Sequence, residues 1–233
     1  MNFFLLILGL APSFTWLIFY LQEDLHPEPK AIIIYTFVMG ALFALVALIL
    51  QLGAACGFLF LDGISCAEKD SYNFTTILPF LILFAFIEEV VKFLGAYVAV
   101  HKNPAFDEPI DAMLYLIIAG LGFAAVENLG VVFSKDSSPF LDAAFKVTSL
   151  RFVGATLLHT LTSATVGYYW ALSIRHFKQK GLLFVGLFLA TSLHTIFNFL
   201  ILKHGKLMYT ILFVAVVGFF VLNDFEKLKT KAL

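Results

Sequence analysis

Charged residues are scarce in this chain of 233 residues. Asp, Glu, Lys and Arg together make up 13% of it, whereas they make up about 25% of a typical soluble domain. Hydrophobic residues make up 61%, and the mean hydropathy is +0.95. This composition excludes a soluble globular domain and predicts a protein that crosses a membrane several times.

Long polar linkers, low-complexity tracts and internal repeats are also missing. One membrane-embedded domain covering 1–233 is therefore the simplest interpretation. The first apolar run has no basic residue ahead of it and no small-residue cleavage pattern after it. We expect it to remain as the first transmembrane helix, because a removed signal peptide carries both features.

The apolar runs are long enough to predict seven transmembrane helices. A hydrocarbon core of roughly 30 Å needs about 20 apolar residues per crossing, and polar or proline-containing breaks separate the runs. The predicted helices cover 2–21, 31–52, 75–100, 110–133, 143–172, 182–202 and 207–223. The expected fold class is all-α, a polytopic bundle of about seven crossings.

The loop charges predict an orientation in the cell membrane. Lys and Arg are more numerous in the loops on the side of the C-terminus than in the opposite loops. The positive-inside rule then places the N-terminus outside and the C-terminus in the cytoplasm. The net charge of −1 gives no indication of a nucleic-acid partner, and the expected surroundings are the lipid bilayer.

Two cysteines are present, Cys56 and Cys66, and both fall between the second and third predicted helices. With the N-terminus outside, this loop is extracytoplasmic, where an oxidising environment allows a disulfide between them. Two free thiols are the alternative.

Ionisable side chains inside the predicted helices are the feature that composition does not explain. Each costs roughly 2.5 to 3.5 kcal/mol in an apolar segment and by default indicates a functional interior. Together with two asparagines they lie on predicted helices three to six: Glu88, Glu89 and Lys92; Asp111, Glu127 and Asn128; Arg151 and His159; His194 and Asn198. We expect these four helices to line a polar catalytic chamber.

Helical geometry separates the two adjacent glutamates. Successive residues of a helix point about 100° apart, so Glu88 and Glu89 cannot face the same spot. One is expected to face the reaction centre and the other to support it. Lys92 follows Glu88 by four residues and Glu89 by three, so it can neutralise whichever carboxylate faces it.

Two further pairs have the i, i+4 spacing of neighbours on one helix face. Phe123 precedes Glu127, so the ring can shield the carboxylate from lipid and water. His194 precedes Asn198, and together they offer two donors that can hold an oxyanion.

Several common hydrolase signatures do not occur in the sequence. There is no H-E-x-x-H pattern of zinc peptidases, no G-x-S-x-G nucleophile elbow, and no aspartate after the second glycine of "GLGF" at 120–123. What remains is a centre built from glutamate, asparagine and histidine.

These residues resemble the motifs of the PrsW family of intramembrane proteases. The matching segments are "EEVVK" (88–92), "FAAVEN" (123–128), His159 and "HTIFN" (194–198), supported by "EDLHPEP" after the first helix and "DAMLY" (111–115). They occur in the family's order on successive predicted helices, which makes the combination far more specific than any one motif.

The resemblance implies a role for each residue. Glu88 would activate the water that attacks the scissile carbonyl, with Glu127 and His159 positioning it. His194 and Asn198 would stabilise the oxyanion. The residues expected to surround and support them are Glu89, Lys92, Phe123, Asn128 and Asp111. The implied substrate is a single-pass membrane protein, such as an anti-sigma factor that receives a site-1 cleavage.

The chain departs from a related group that contains the CAAX prenyl endopeptidases and bacteriocin-processing membrane proteins. That group has E-E-x-x-x-R in the first motif and F-x-x-x-H in the second. Here Lys92 lies one position earlier than the arginine, and Glu127 stands in place of the histidine. Both departures favour the PrsW family over a prenyl-protein protease.

A metal-dependent reaction is the main alternative mechanism. Glu88, Glu127, His159 and His194 are acceptable ligands for zinc or another divalent ion. No two of them have a tight metal-binding spacing on one helix, so we favour a centre without a cofactor. A proton-coupled transporter and a non-enzymatic scaffold are the alternatives from other classes.

Overall fold

The computed structural model describes residues 2–22, 26–61, 74–134, 140–175, 181–204 and 207–229. The helices in these ranges are α1 (Asn2–Leu21), α2 (Lys30–Leu61), α3 (Phe74–Val100), α4 (Pro109–Phe133), α5 (Phe140–Val153), α6 (Ala155–Arg175), α7 (Gly181–His204) and α8 (Leu207–Lys229). No strand occurs in the described part of the chain, and the all-α prediction is confirmed.

Three helices depart by more than two residues from the predicted boundaries, and one of them is α8, which ends at Lys229 rather than at 223. The predicted helix 143–172 is divided at Gly154 into α5 and α6. The backbone hydrogen bonds continue through the division, since Gly154 N–H donates to the carbonyl of Leu150 at 3.0 Å and Leu158 N–H donates to that of Gly154 at 2.9 Å. Gly154 is therefore a bend in a continuous helical path. The helix α2 ends at Leu61 rather than at 52.

The bundle is a multi-pass membrane protein. Five helices of the described chain are long and apolar enough to cross a membrane: Phe3–Leu21, Lys30–Gly57, Pro109–Phe133, Gly181–Lys203 and Met208–Leu228. Large apolar side chains lie exposed on the outside of the bundle, among them Ile49, Phe184, Phe188 and Phe219. Such an apolar exterior suits lipid and not water.

The core of the bundle is α4, which is buried at every residue from Ile110 to Ala125. It packs against α1, α2, α3 and α6. The backbones of α2 and α4 approach so closely that a methyl group on Gly40 would overlap the carbonyl of Ala119, and one on Gly122 would overlap that of Phe37. These reciprocal contacts fix the position of α2 along the axis of α4.

Adding a methyl group at Gly122 is expected to destabilise the bundle. Gly122→Ala forces the backbones of α2 and α4 apart, and overpacking of this kind costs about 1–3 kcal/mol. Gly53→Ala on α2 is the matched control, because nothing lies within 4 Å of its added methyl group. Thermal unfolding in detergent should show a lower midpoint for Gly122→Ala alone. Equal midpoints for the two variants would contradict the close-packing interpretation.

Candidate active site

The two adjacent glutamates of α3 have different partners. Glu89 is 1% exposed and accepts a hydrogen bond from Lys92 Nζ at 2.7 Å. Glu88 accepts one through Oε1 from Gln51 Nε2 on α2, also at 2.7 Å. Glu88 Oε2 is buried and has no hydrogen-bond partner among the described residues. Within the described ranges each glutamate thus keeps one oxygen without a hydrogen bond, but Glu89 belongs to an ion pair with Lys92 and Glu88 does not.

The ammonium group of Lys92 joins α3 to α6. Besides its bond to Glu89, Nζ donates to Thr162 Oγ1 at 3.1 Å and lies 3.5 Å from His159 Nδ1. Lys92 is 1% exposed, so these side chains replace the water that would otherwise solvate the charge. A buried charge is tolerated only with such compensation.

His194 on α7 lies between the two glutamates. Its Nδ1 is 2.7 Å from Glu89 Oε1, and its Nε2 is 3.6 Å from Glu88 Oε2. Because the carboxylate paired with Lys92 only accepts hydrogen bonds, Nδ1 must carry a hydrogen. The other ring nitrogen of His194 therefore faces Glu88.

A second carboxylate–histidine pair connects α4 and α6. His159 Nε2 lies 2.8 Å from Glu127 Oε2, and Arg151 Nη2 donates to the same oxygen at 3.1 Å. Since the Lys92 ammonium can only donate to His159 Nδ1, the hydrogen of this ring is on Nε2, where it bonds to Glu127. Glu127 is held from two sides.

Asn128, the neighbour of Glu127, holds the guanidinium group of Arg151 in place. Its Oδ1 accepts a hydrogen bond from Arg151 Nε, and its Nδ2 donates to Thr156 Oγ1 at 3.0 Å. Asn128 is 1% exposed. The amide thus connects α4 to both helices on either side of the Gly154 bend.

Ring contacts connect Phe123, His159 and His194 in series. The Phe123 ring lies 5.6 Å from that of His159 and is 1% exposed. The rings of His159 and His194 meet edge to face at 5.2 Å with an angle of 85°. Phe123 thus contacts His159, the hydrogen-bond partner of Glu127.

A cavity of about 370 Å³ brings the polar residues together. Its polar lining residues are Glu88, Glu127, Arg151, His159, His194 and Asn198, and its apolar ones are Leu81, Ala155, Leu158, Phe197, Ile201 and Leu202. The five residues predicted to be catalytic all contribute to this one lining. Such a mixture suits an apolar peptide segment and a few oriented polar groups.

The charges of the cluster leave one carboxylate without a cation. Lys92 pairs with Glu89 and Arg151 pairs with Glu127. Within the described part of the chain, the ionisable partner of Glu88 is His194 alone. Glu88 is therefore the carboxylate of the cluster that has no Lys or Arg partner among the described residues.

A divalent metal fits this centre in donor type. Glu88, His159 and His194 are buried, and each offers one ligand atom. These three atoms lie within 4.8 Å of one another. Two histidines and one carboxylate are a common zinc set. Both ring nitrogens of His159 already have partners, however, so this ring must release Glu127 or Lys92 to become a ligand.

Asp111 lies outside the cluster, which corrects the expectation that it supports the centre directly. Its Oδ2 accepts the backbone N–H groups of Asp107 at 3.0 Å and Glu108 at 2.7 Å, capping the N-terminus of α4. Sixteen residues separate it from Glu127, which is about 24 Å along a helix. The predicted pairing of Cys56 with Cys66 remains a prediction, because Cys66 lies outside the described residues.

Sequence reasoning missed two members of the site. Gln51 is a lone amide in an apolar run, and Arg151 was recognised as an intramembrane charge without a role. The signal for Gln51 was its position, near the end of a predicted helix, where a polar residue is also expected at the membrane surface. Only the packing of α2 beside α3 shows that it reaches Glu88.

Comparison with known proteins identifies related chains. A family model described as "PrsW family intramembrane metalloprotease" matches residues 28–223. The chain is 28% identical to protease PrsW of Oceanobacillus iheyensis over 83% of its own length and 80% of the relative. It is 24% identical to protease PrsW of Clostridioides difficile, over 94% and 88%, and 26% identical to that of Geobacillus kaustophilus, over 89% and 84%. No solved structure matches it.

Proposed function

The chain belongs to the PrsW family of intramembrane proteases, and we propose that it hydrolyses a peptide bond with a water activated by Glu88. The observation that carries this proposal is the free oxygen of Glu88. Glu88 Oε2 and His194 Nε2 are 3.6 Å apart, too far for a direct hydrogen bond. Both residues line the cavity, where one water can bond to both.

In the proposed reaction Glu88 acts first as base and then as acid. It takes a proton from the water, whose oxygen forms a bond with the scissile carbonyl carbon. The C–N bond then breaks, and Glu88 passes the proton to the leaving nitrogen. A positioned carboxylate used in this way accelerates a reaction by about 10²- to 10⁴-fold.

His194 and Asn198 are proposed to stabilise the oxyanion. Because Nδ1 of His194 donates to Glu89, Nε2 can donate to the oxyanion only when the ring carries both hydrogens. The cluster then contains three carboxylates and three cations, Lys92, Arg151 and the His194 ring, so its charges balance. Donors fixed in advance, where negative charge develops, supply a large part of catalysis.

Glu127 is proposed to position the water from the other side of the cavity, and His159 to contribute by orienting Glu127 through its Nε2 hydrogen. Arg151 holds Glu127, and Lys92 holds His159, so neither side chain must reorganise when substrate arrives. Water in a membrane interior needs several such polar partners to be stable.

A divalent ion such as zinc is the competing proposal, consistent with the description of the matching family as metalloproteases. Glu88, His159 and His194 would hold it, with Glu127 as a further predicted ligand, and it would supply Lewis-acid activation of the water. We favour the centre without metal because its charges already balance and because His159 is engaged at both nitrogens.

The proposed substrate is a single-pass membrane protein, with an anti-sigma factor as the class that the family resemblance suggests. The cavity is lined by apolar side chains beside its polar groups, which suits an apolar segment unwound from a membrane helix. We propose the cell membrane as the location, with the N-terminus outside.

Reconstitution tests the proposal. The purified chain in liposomes should cleave a co-reconstituted single-pass test protein, and exhaustive chelation should leave the rate unchanged because no metal is required. Elemental analysis of the same sample should find no stoichiometric metal.

Two outcomes would contradict it. Activity that is lost on chelation and restored by zinc would establish the metal-dependent mechanism. Ion or solute flux through liposomes without cleavage of any single-pass protein would favour a transporter.

A further inference from the structure

Gln51 is the polar residue of α2 that reaches the active site. Its neighbours Leu50 and Leu52 are 48% and 59% exposed, and both suit a lipid surface. The Gln51 amide points inward instead and donates to Glu88 Oε1 at 2.7 Å. A side-chain amide in an apolar segment is costly unless it is hydrogen-bonded, so the bond to Glu88 accounts for its presence.

We propose that Gln51 is a positioning residue that orients Glu88 for catalysis, an inference that rests on the proposed function of Glu88 as the base. A carboxylate has two equivalent oxygens and turns freely unless one is held. Gln51 holds Oε1, and Oε2 is left buried and without a hydrogen bond. The held oxygen thereby directs the free one towards His194 Nε2.

The position of Gln51 is fixed by the packing of its helix. Gly40 of α2 contacts the backbone of α4 at Ala119, and Gly122 of α4 contacts that of α2 at Phe37. Gln51 lies eleven residues after Gly40, about 17 Å along the same helix. A rigid helix contact therefore sets the depth of the amide, as a positioning residue requires.

Gln51 contacts Glu88 without lining the same cavity. Glu88 lines the 370 Å³ cavity, which does not include Gln51. Gln51 lines a neighbouring cavity of about 550 Å³ between α2 and α4, whose lining shares Glu127 and Arg151 with the first cavity. An effect of Gln51 on the reaction is therefore expected to pass through Glu88 and not through contact with the scissile bond.

Replacing Gln51 by methionine tests this role, because methionine keeps the approximate length but cannot donate. We expect kcat to fall about tenfold, the effect of losing a hydrogen bond to a charged group, with KM unchanged. Leu52→Met is the matched control on the lipid face of the same helix and should retain the wild-type kcat. Equal unfolding midpoints of the variants would show that both remain folded.

Gln51→Glu tests the role through the pH dependence of the cleavage rate, which a residue that only supports the fold would not change. Its side chain has the right length but donates to Glu88 only when protonated. The titratable and charged groups around Glu88 are Glu89 and Lys92 on its own helix, Glu127 on α4, Arg151 on α5, His159 on α6 and His194 on α7. Wild type and variant share them, so the ratio of their rates isolates position 51. This ratio should rise as the pH falls, whereas the ratio of Gln51→Met to wild type should not rise, because methionine cannot gain a donor.

The outcomes separate this inference from the proposed function. If wild type cleaves and Glu88→Gln does not, but Gln51→Met retains the wild-type kcat, the positioning role of Gln51 is overturned while the base assignment stands. A flat ratio for Gln51→Glu would overturn it as well. If Glu88→Gln itself cleaves normally, the proposed function fails first.

Discussion

Replacing Glu88 by glutamine is expected to lower the cleavage rate by about 10³-fold, within the range for loss of a general base. Glutamine has the same shape and can still bond to Gln51, but it cannot take a proton from water. The rate should be measured in liposomes at saturating substrate. Capture of the single-pass substrate by the variant should persist, because the apolar lining of the cavity is unchanged.

The same substitution is expected to leave the unfolding midpoint unchanged or to raise it. Glu88 contacts neither Lys nor Arg within the described part of the chain. Its ionisable partner, His194, can release its second hydrogen, so glutamine leaves no permanent cation unpaired. Glu89→Gln is the matched control one residue away. It removes the partner of a buried lysine and should lower the midpoint.

Cleavage by Glu88→Gln at a rate near that of wild type would refute Glu88 as the base. A loss of both cleavage and folding would not fit the charge distribution described above. Because a metal mechanism also needs Glu88, the chelation experiment, and not this variant, distinguishes the two mechanisms.

The fold could be predicted largely from hydropathy, because the bilayer sets the length of each crossing. The bend at Gly154 could not be predicted from hydropathy. Glycine in a membrane helix usually permits close helix contact, and the sequence alone does not distinguish that use from a bend. The extension of α2 to Leu61 was missed since glycines and small residues follow Gln51 and resemble a loop.

The convergence of polar residues on α3, α4, α6 and α7 could also be anticipated, because intramembrane charges must face one another to be stable. Helical spacing separated Glu88 from Glu89 before any contact was known. It could not determine which glutamate Lys92 would bind, since both spacings are favourable. It also could not show that Arg151, in the last turn of α5, bonds to Glu127.

For Asp111 the sequence suggested a role in the active site that the structure does not show. Its position beside a recognised motif suggested a catalytic neighbourhood, whereas a carboxylate three residues into a helix commonly accepts the free N–H groups there. The proline at position 109 marked that helix start, and it favours the capping role that the structure shows.

Replacing Lys92 by methionine is expected to have the largest effect on stability. The substitution leaves the carboxylate of Glu89 buried without its cation, and breaking a buried ion pair costs about 3–5 kcal/mol. It also removes the donors to Thr162 and His159. Thermal unfolding in detergent should show a much lower midpoint, and cleavage should be lost.

The double variant Glu89→Gln with Lys92→Met separates stability from catalysis. Removing both charges leaves no unpaired ion, and replacing a whole buried pair is often nearly neutral, so the midpoint should recover most of the loss. Cleavage should not recover, because the neutral amide no longer balances the charge of the His194 ring that it contacts. A double variant no more stable than Lys92→Met would show that the Lys92–Glu89 pair is not what the single substitution disrupts. Recovery of cleavage together with stability would show that these two residues act only on folding.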